Sequence, residues 1–141
     1  MANYVIPAIG DDIPATQKGI QFALQKATQH GCNLILLVPS IKNAEESNML
    51  EQILGEDLLK KLAKKRESVT IGQVNIRIEA LSTLRGSQLS TFDGVILGLW
   101  ITKHDAITLS EIKPPAKDII LVQWSEDELT KWAEYNNATY I

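Results

Sequence analysis

The sequence predicts a three-layer α/β/α domain built on a mainly parallel sheet of about five strands. Three observations carry that expectation. Short apolar runs alternate along the chain with stretches of helical periodicity, the pattern of strand–helix–strand units. The runs Asn33–Val38 and Gly94–Trp100 are apolar almost throughout, as strands covered on both faces are. Val74–Ala80 instead alternates, with Asn75, Arg77 and Glu79 between Val74, Ile76, Ile78 and Ala80. That period of two marks a strand with one face in water and places it at the edge of the sheet.

Tyr4 to Ile9 is the first strand, broken by Gly10-Asp11-Asp12. Asp12 is positioned to cap a helix carrying Pro14 in its first turn and the apolar series Ile20, Ala23, Leu24 and Ala27. His30-Gly31 stops that helix, since glycine accepts the left-handed conformation at a helix end. Asn33–Val38 is the second strand, closed by Pro39-Ser40. A helical region follows over 44–67, its stripe made by Leu50, Ile53, Leu54, Leu58 and Leu62, with Gly55 placed to kink or divide it. Val74–Ala80 is the third strand, Leu81–Thr91 a connection with at most a short helix, and Gly94–Trp100 the fourth strand. A short helix precedes Pro114-Pro115, Ile119–Trp124 is the fifth strand, and Ser125-Glu126-Asp127-Glu128 forms a capping box opening a last helix that carries Leu129, Trp132 and Ala133.

These alternations predict a single Rossmann-like domain over 1–141 with strand order 3-2-1-4-5. In such sheets ligands sit beyond the carboxyl ends of the strands, where the direction of winding reverses. In the expected order that crevice lies between the first and fourth strands. Its lining is Gly10, Asp11 and Asp12 on one side and Gly98, Leu99 and Trp100 on the other, with Pro39 and Ser40 beside it. Trp100 and Trp124 fall at strand ends near this crevice, where an indole can stack on a flat ligand.

The 141 residues carry a net charge of −3, with 45% hydrophobic and 22% charged side chains, a globular mix that excludes disorder as a reading of the whole chain and makes nucleic acid an unfavoured partner. No apolar run approaches the ~20 residues of a membrane span, and the first residues lack a signal-type pattern, so a cytoplasmic protein is expected. The single cysteine, Cys32, reads as a small buried hydrophobe. The two histidines, His30 and His104, assemble no zinc-type cluster.

The stretch Val5-Ile6-Pro7-Ala8-Ile9-Gly10, the helix with Gly19-Ile20-Gln21-Phe22-Ala23-Leu24, the run Gly31-Cys32-Asn33-Leu34-Ile35-Leu36-Leu37-Val38 and Phe92-Asp93-Gly94-Val95-Ile96-Leu97-Gly98 together resemble the universal stress protein family. The resemblance implies an adenine nucleotide alpha hydrolase-like version of the fold, a nucleotide-like ligand and a homodimer. Two departures stand beside it. The family commonly has an aspartate where Ile9 stands. Its ATP-binding members follow strand four with a glycine-rich phosphate loop, but here Ile101 stands three residues after Gly98, where the next glycine would fall, and Glu111-Ile112 takes the place of the second glycine-rich half. Backbone amides crowd around phosphate only in conformations that glycine permits.

Other residues suggest other chemistries. Asp11-Asp12 resembles the acidic magnesium pair of receiver domains, but the later aspartate and lysine of those sites are missing, and helix capping accounts for the pair. Asp105, Thr108 and Glu111 fall at helical spacing after the fourth strand, similar to deoxyribosyltransferase-like and TIR-like domains, in which a helical glutamate acts at a glycosidic bond. Lys60, Lys61, Lys64, Lys65 and Arg66 follow an acidic stretch and complement the dipole of a solvated helix. The leading expectation is a non-catalytic domain binding a small, nucleotide-like ligand or a protein partner. The alternatives are a glycosidic-bond enzyme using Glu111 with Asp105, and a pure oligomerisation module.

Overall fold

A computed structural model describes residues 2–81 and 89–141. In chain order the elements are β1 (Ala2–Ile6), α1 (Ile13–His30), β2 (Leu34–Val38), α2 (Ile41–Glu45), α3 (Asn48–Leu54) and α4 (Glu56–Leu59), which runs into a wider helical turn over Lys60–Lys64. There follow β3 (Val69–Ile71), β4 (Val74–Ala80), β5 (Val95–Ile101), α5 (Lys103–Ile112), β6 (Asp118–Gln123), α6 (Thr130–Tyr135) and β7 (Thr139–Tyr140). Of the connection expected over 81–91, residues 82–88 lie outside the described residues.

Local chemistry explains the first boundaries. Pro7 cannot donate to a ladder, and β1 ends just before it. Asp12 accepts from the Ala15 amide to start α1, and Gly31 at φ 63° ends it. Gly55, at φ 89°, divides α3 from α4. The last helix departs from expectation. Ser125 to Leu129 form turns, with Asp127 at φ 58°, and the helix starts only at Thr130. The capping box does not form, since Ser125 to Leu129 precede the helix instead of making its first turn, and Glu128 Oε1 accepts from the Lys103 amide at 3.1 Å.

The sheet has seven strands in the order β3-β4-β2-β5-β6-β1-β7, parallel throughout except for the β3–β4 hairpin, which turns at Gly72. The mainly parallel sheet is as predicted, but the 3-2-1-4-5 order is not. The first strand lies beyond the fifth, and β6 stands between β1 and β5. A crevice between neighbouring first and fourth strands therefore does not exist. The physical reason is visible in burial. β2, β5 and β6 are buried at every residue and fill the centre, whereas β1 carries partly exposed Ala2, Asn3 and Tyr4 and sits one strand from the edge, covered by β7. The alternating strand β4 is likewise one in from the edge, since β3 pairs outside it.

Helices cover both faces. α1 and the α2–α4 segment pack with Leu34, Leu36, Val38, Leu97, Leu99 and Val122 on one face. α5 and α6 pack with Ile35, Leu37, Ile96, Ile101 and Leu121 on the other. α1 returns the chain from β1 to β2 across two intervening strands, and Gly19 lets it lie close to them: a Cβ there would stand 2.8 Å from Val122 Cγ2. β2 leaves the sheet toward the first face and its neighbour β5 toward the second, so the winding reverses between β2 and β5.

β5 contains the feature that shapes the carboxyl rim. Leu99 pairs with Val122 and Ile101 with Gln123, leaving Trp100 as an extra residue in the strand. By simple alternation Trp100 would face the α5–α6 layer with Ile96 and Gly98. The bulge instead turns it to the first face, beside Leu97 and Leu99, and Ile101 takes its place on the second. Gly98 makes room for that exchange, because a Cβ there would come within 2.6 Å of both Ile101 Cγ1 and Leu121 Cδ2. Gly98→Ala is expected to destabilise the fold by about 1–3 kcal/mol, as overpacking of a dense core does, and to alter Trp100 fluorescence in the folded state. Chemical denaturation and the emission spectrum check both effects, and an unchanged midpoint would contradict this account of the glycine.

Candidate functional site

A cleft of about 550 Å³ opens at the carboxyl rim of the sheet, within the volume range of small-molecule sites. It lies where the reversal between β2 and β5 predicts a crevice. Four segments build it. The turn after β1 contributes Asp11, and the end of β2 contributes Pro39. The α2–α3 segment contributes Asn43, Glu46, Ser47, Asn48 and Met49, while the ends of β5 and β6 contribute Trp100, Thr102 and Trp124. The Gly10 amide donates to the Trp124 carbonyl at 2.7 Å, which fastens the β1 turn to the end of β6 and brings Asp11 to the same rim.

Trp100 is the least ordinary residue in the cleft. It has φ 56°, a conformation that costs a bulky side chain about 1–2 kcal/mol. The residue is 8% exposed, and its indole Nε1 is buried with no hydrogen-bond partner among the described residues. Trp124, 38% exposed, meets it edge to face, with ring centroids 6.5 Å apart and planes at 70°. The two indoles form an aromatic corner within the cleft.

The electrostatics of the rim are one-sided. Among the described residues, Asp11 and Glu46 are the only ionisable side chains in the lining. The helix N-termini nearest the cleft are closed by the chain's own oxygens. At α1, Asp12 Oδ1 accepts from the Ala15 amide at 3.0 Å. At α5, Thr102 Oγ1 accepts from the Asp105 amide at 3.2 Å and Glu128 from the Lys103 amide. Ser47 Oγ is similarly committed to the Leu50 amide. Amides already paired with carboxylates are poor phosphate sites.

The eight residues expected at a ligand site divide into three groups. Asp11, Pro39 and Trp100 line the cleft. Gly10, Asp12 and Ser40 stand next to it in supporting roles: Gly10 turns the chain at φ 63°, and Asp12 and Ser40 cap α1 and α2. Gly98 and Leu99 are buried in the sheet and do not line it. Sequence reasoning missed the α2–α3 residues, because nothing in their composition shows that this segment folds over the rim. Thr102 was findable as the cap residue directly following a buried strand.

Glu111 and Asp105 are not brought to this cleft. Glu111 lines a separate groove of about 400 Å³ between α5 and α6, with Ile107, Trp132 and Tyr135. Asp105, in the first turn of α5, is half-buried beside the Thr102 cap. His30, at the end of α1, bonds through Nε2 to the buried Asp118 carboxylate at 2.8 Å. Among the described residues no group of three or more His, Cys, Asp or Glu side chains is placed to hold a metal ion, and no helix is long and apolar enough to cross a membrane.

No family model matches this chain, and no curated protein or solved structure matches it either.

Cys32, half-buried against the first-face core, has its thiol pKa pushed above the ordinary range, first by burial and further by the Asp118 and Asp93 carboxylates, against the Val95 backbone and Lys117. A raised pKa lowers the thiolate fraction at any given pH. Iodoacetamide should therefore modify Cys32 more slowly than free cysteine near neutral pH, with the rate climbing only as pH passes the usual thiol range. Mass-spectrometric labelling kinetics check this, and labelling as fast as the free amino acid would contradict it.

Proposed function

We propose that this domain binds a small molecule in the carboxyl-rim cleft without transforming it. The observation that carries the reading is Trp100. A bulky residue is held in a left-handed conformation, with a buried N–H lacking an acceptor among the described residues, at the wall of a cleft at the point of winding reversal. Both features cost stability, and costs of this kind concentrate at ligand sites.

The lining also favours binding over catalysis. Among the described residues it contains no histidine, cysteine or lysine, and the Ser47 and Thr102 hydroxyls are engaged as helix caps. The Asp11 and Glu46 carboxylates are then the remaining candidate acids, bases or nucleophiles among the described lining residues, and the binding reading gives them the role of ligand contacts. ATP-binding universal stress proteins hold phosphate on a glycine-rich loop after the fourth strand. At that place this chain has Trp100, Ile101 and an α5 terminus occupied by Glu128. A ligand without phosphate suits such a rim.

The three tryptophans make the test direct. Trp100 and Trp124 line the cleft, while Trp132 lies in the α5–α6 groove and serves as an internal reference. In a fragment screen followed by the indole N–H resonances, binding compounds should shift the Trp100 and Trp124 signals saturably and leave Trp132 in place. Shifts confined to Trp132 would place binding in the groove and overturn the cleft reading. So would a chemically diverse library that moves none of the three.

A further inference from the structure

We propose that the cleft selects an organic cation: a compact ammonium, methylated or otherwise apolar at its head, with a hydroxyl or carbonyl oxygen nearby. This rests on the reading of the cleft as a ligand site and adds the class of ligand.

Three independent features of the cleft converge on that class. The first is the aromatic corner. The faces of indole rings carry negative quadrupole density, and tryptophan is the strongest of the aromatic side chains in attracting a cation. Trp124 is exposed enough to meet a ligand, and Trp100 backs it at a steep interplanar angle. Two rings at such an angle offer walls on different sides of a rounded head group, whereas a flat base is better held between parallel rings.

The second feature is charge. Asp11 and Glu46 reach the cleft from different segments, one from the turn after β1 and the other from the end of α2. An anion entering between them would meet repulsion with no positive side chain among the described lining residues to offset it. A cation meets attraction from both. The paired amides at the starts of α1 and α5 remove the usual means by which a Rossmann-like rim compensates an anion.

The third feature is the buried Trp100 N–H, which has no acceptor among the described residues. A donor left unpaired in a protein interior is a standing cost that an incoming oxygen can relieve. Tertiary ammonium and simple alkyl cations lack that oxygen, whereas amino alcohols and amino ketones carry it a few bonds from the charge.

Choline and its uncharged isostere 3,3-dimethyl-1-butanol separate charge from shape. The two share a hydroxyl and a head of the same outline. Calorimetric or NMR titration of the wild-type chain should give choline at least about tenfold tighter binding than the isostere, with shifts at Trp100 and Trp124. In Asp11→Asn/Glu46→Gln, both exposed positions, choline should weaken several-fold toward the isostere while the isostere is unchanged. Trp124→Leu should weaken choline more than the isostere. Isostere binding as tight as choline at the same two indoles would overturn the cationic class and leave the cleft standing as a ligand site. Adenosine monophosphate binding there more tightly than choline would do the same. Absence of saturable choline binding would overturn the cationic class as well, and the broader fragment screen then decides separately whether the cleft binds anything. Circular dichroism of each variant distinguishes a lost ligand contact from a lost fold.

Discussion

The organisation of the carboxyl rim depends on one packing constraint in the central strand: Gly98 and Ile101 share the same patch of the second face. With no side chain at Gly98, Ile101 can settle over it and against Leu121. That requires an extra residue between Leu99 and Ile101, and the extra residue is Trp100. The parity of the strand changes at this point, so a large aromatic that alternation would send to the α5–α6 layer emerges on the α1–α3 side. The cleft owes its wall to this exchange. An alanine at Gly98 would not touch a ligand, yet it would press on the residue whose position lets the tryptophan turn.

The second constraint is electrostatic and also arises from the chain's own folding needs. Helices beginning at the rim expose amides that must find acceptors. Here α1 is satisfied by Asp12 and α5 by Thr102 and Glu128, the last reaching across from the turn before α6. Capping these helices internally stabilises them without any ligand. It also changes what the rim attracts: where many α/β sites present bare amides to phosphate, this one presents carboxylates and indoles. The capping box at Ser125 does not form and the helix begins at Thr130, while one oxygen of Glu128 closes the start of α5.

Much of this was legible in the sequence, for reasons that can be stated residue by residue. The helix boundaries at Asp12, Gly31 and Gly55 followed from local backbone chemistry, which acts within a few positions. The continuous runs in β2 and β5 revealed burial on two faces. Strand order was a different matter, because alternation reports which faces are covered and says nothing of which strands are neighbours. One clue was available: the first strand opens with Asn3 and Tyr4, a poorer candidate for the centre than Leu34–Val38 or Ile119–Val122. The lining of the cleft was anticipated only in part for the same reason. Asp11, Pro39 and Trp100 follow strands and land on the rim whatever the order, whereas Gly98 and Leu99 were placed there by assuming a flat end to β5. Asn43, Glu46 and Asn48 reach the rim by tertiary packing of α2 and α3, for which a sequence window holds no signal.

The position of the strain is itself informative. A left-handed tryptophan and an unpaired indole N–H are each disfavoured by an amount comparable to a sizeable share of a domain's net stability. They could be tolerated at an edge, where neighbours yield. Instead they sit at the end of β5, flanked by fully buried β2 and β6 and backed by Ile101 and Leu121. A rigid surround of this kind keeps the conformation from relaxing, so the indole stays packed on the first-face core at the cleft wall. A glycine at position 100 would satisfy the backbone at no steric cost, and an aliphatic residue would remove the orphaned donor. A core selected for stability alone has two easy improvements here. The chain carries neither, and the residue concerned is both part of the first-face core and a wall of the carboxyl-rim cleft.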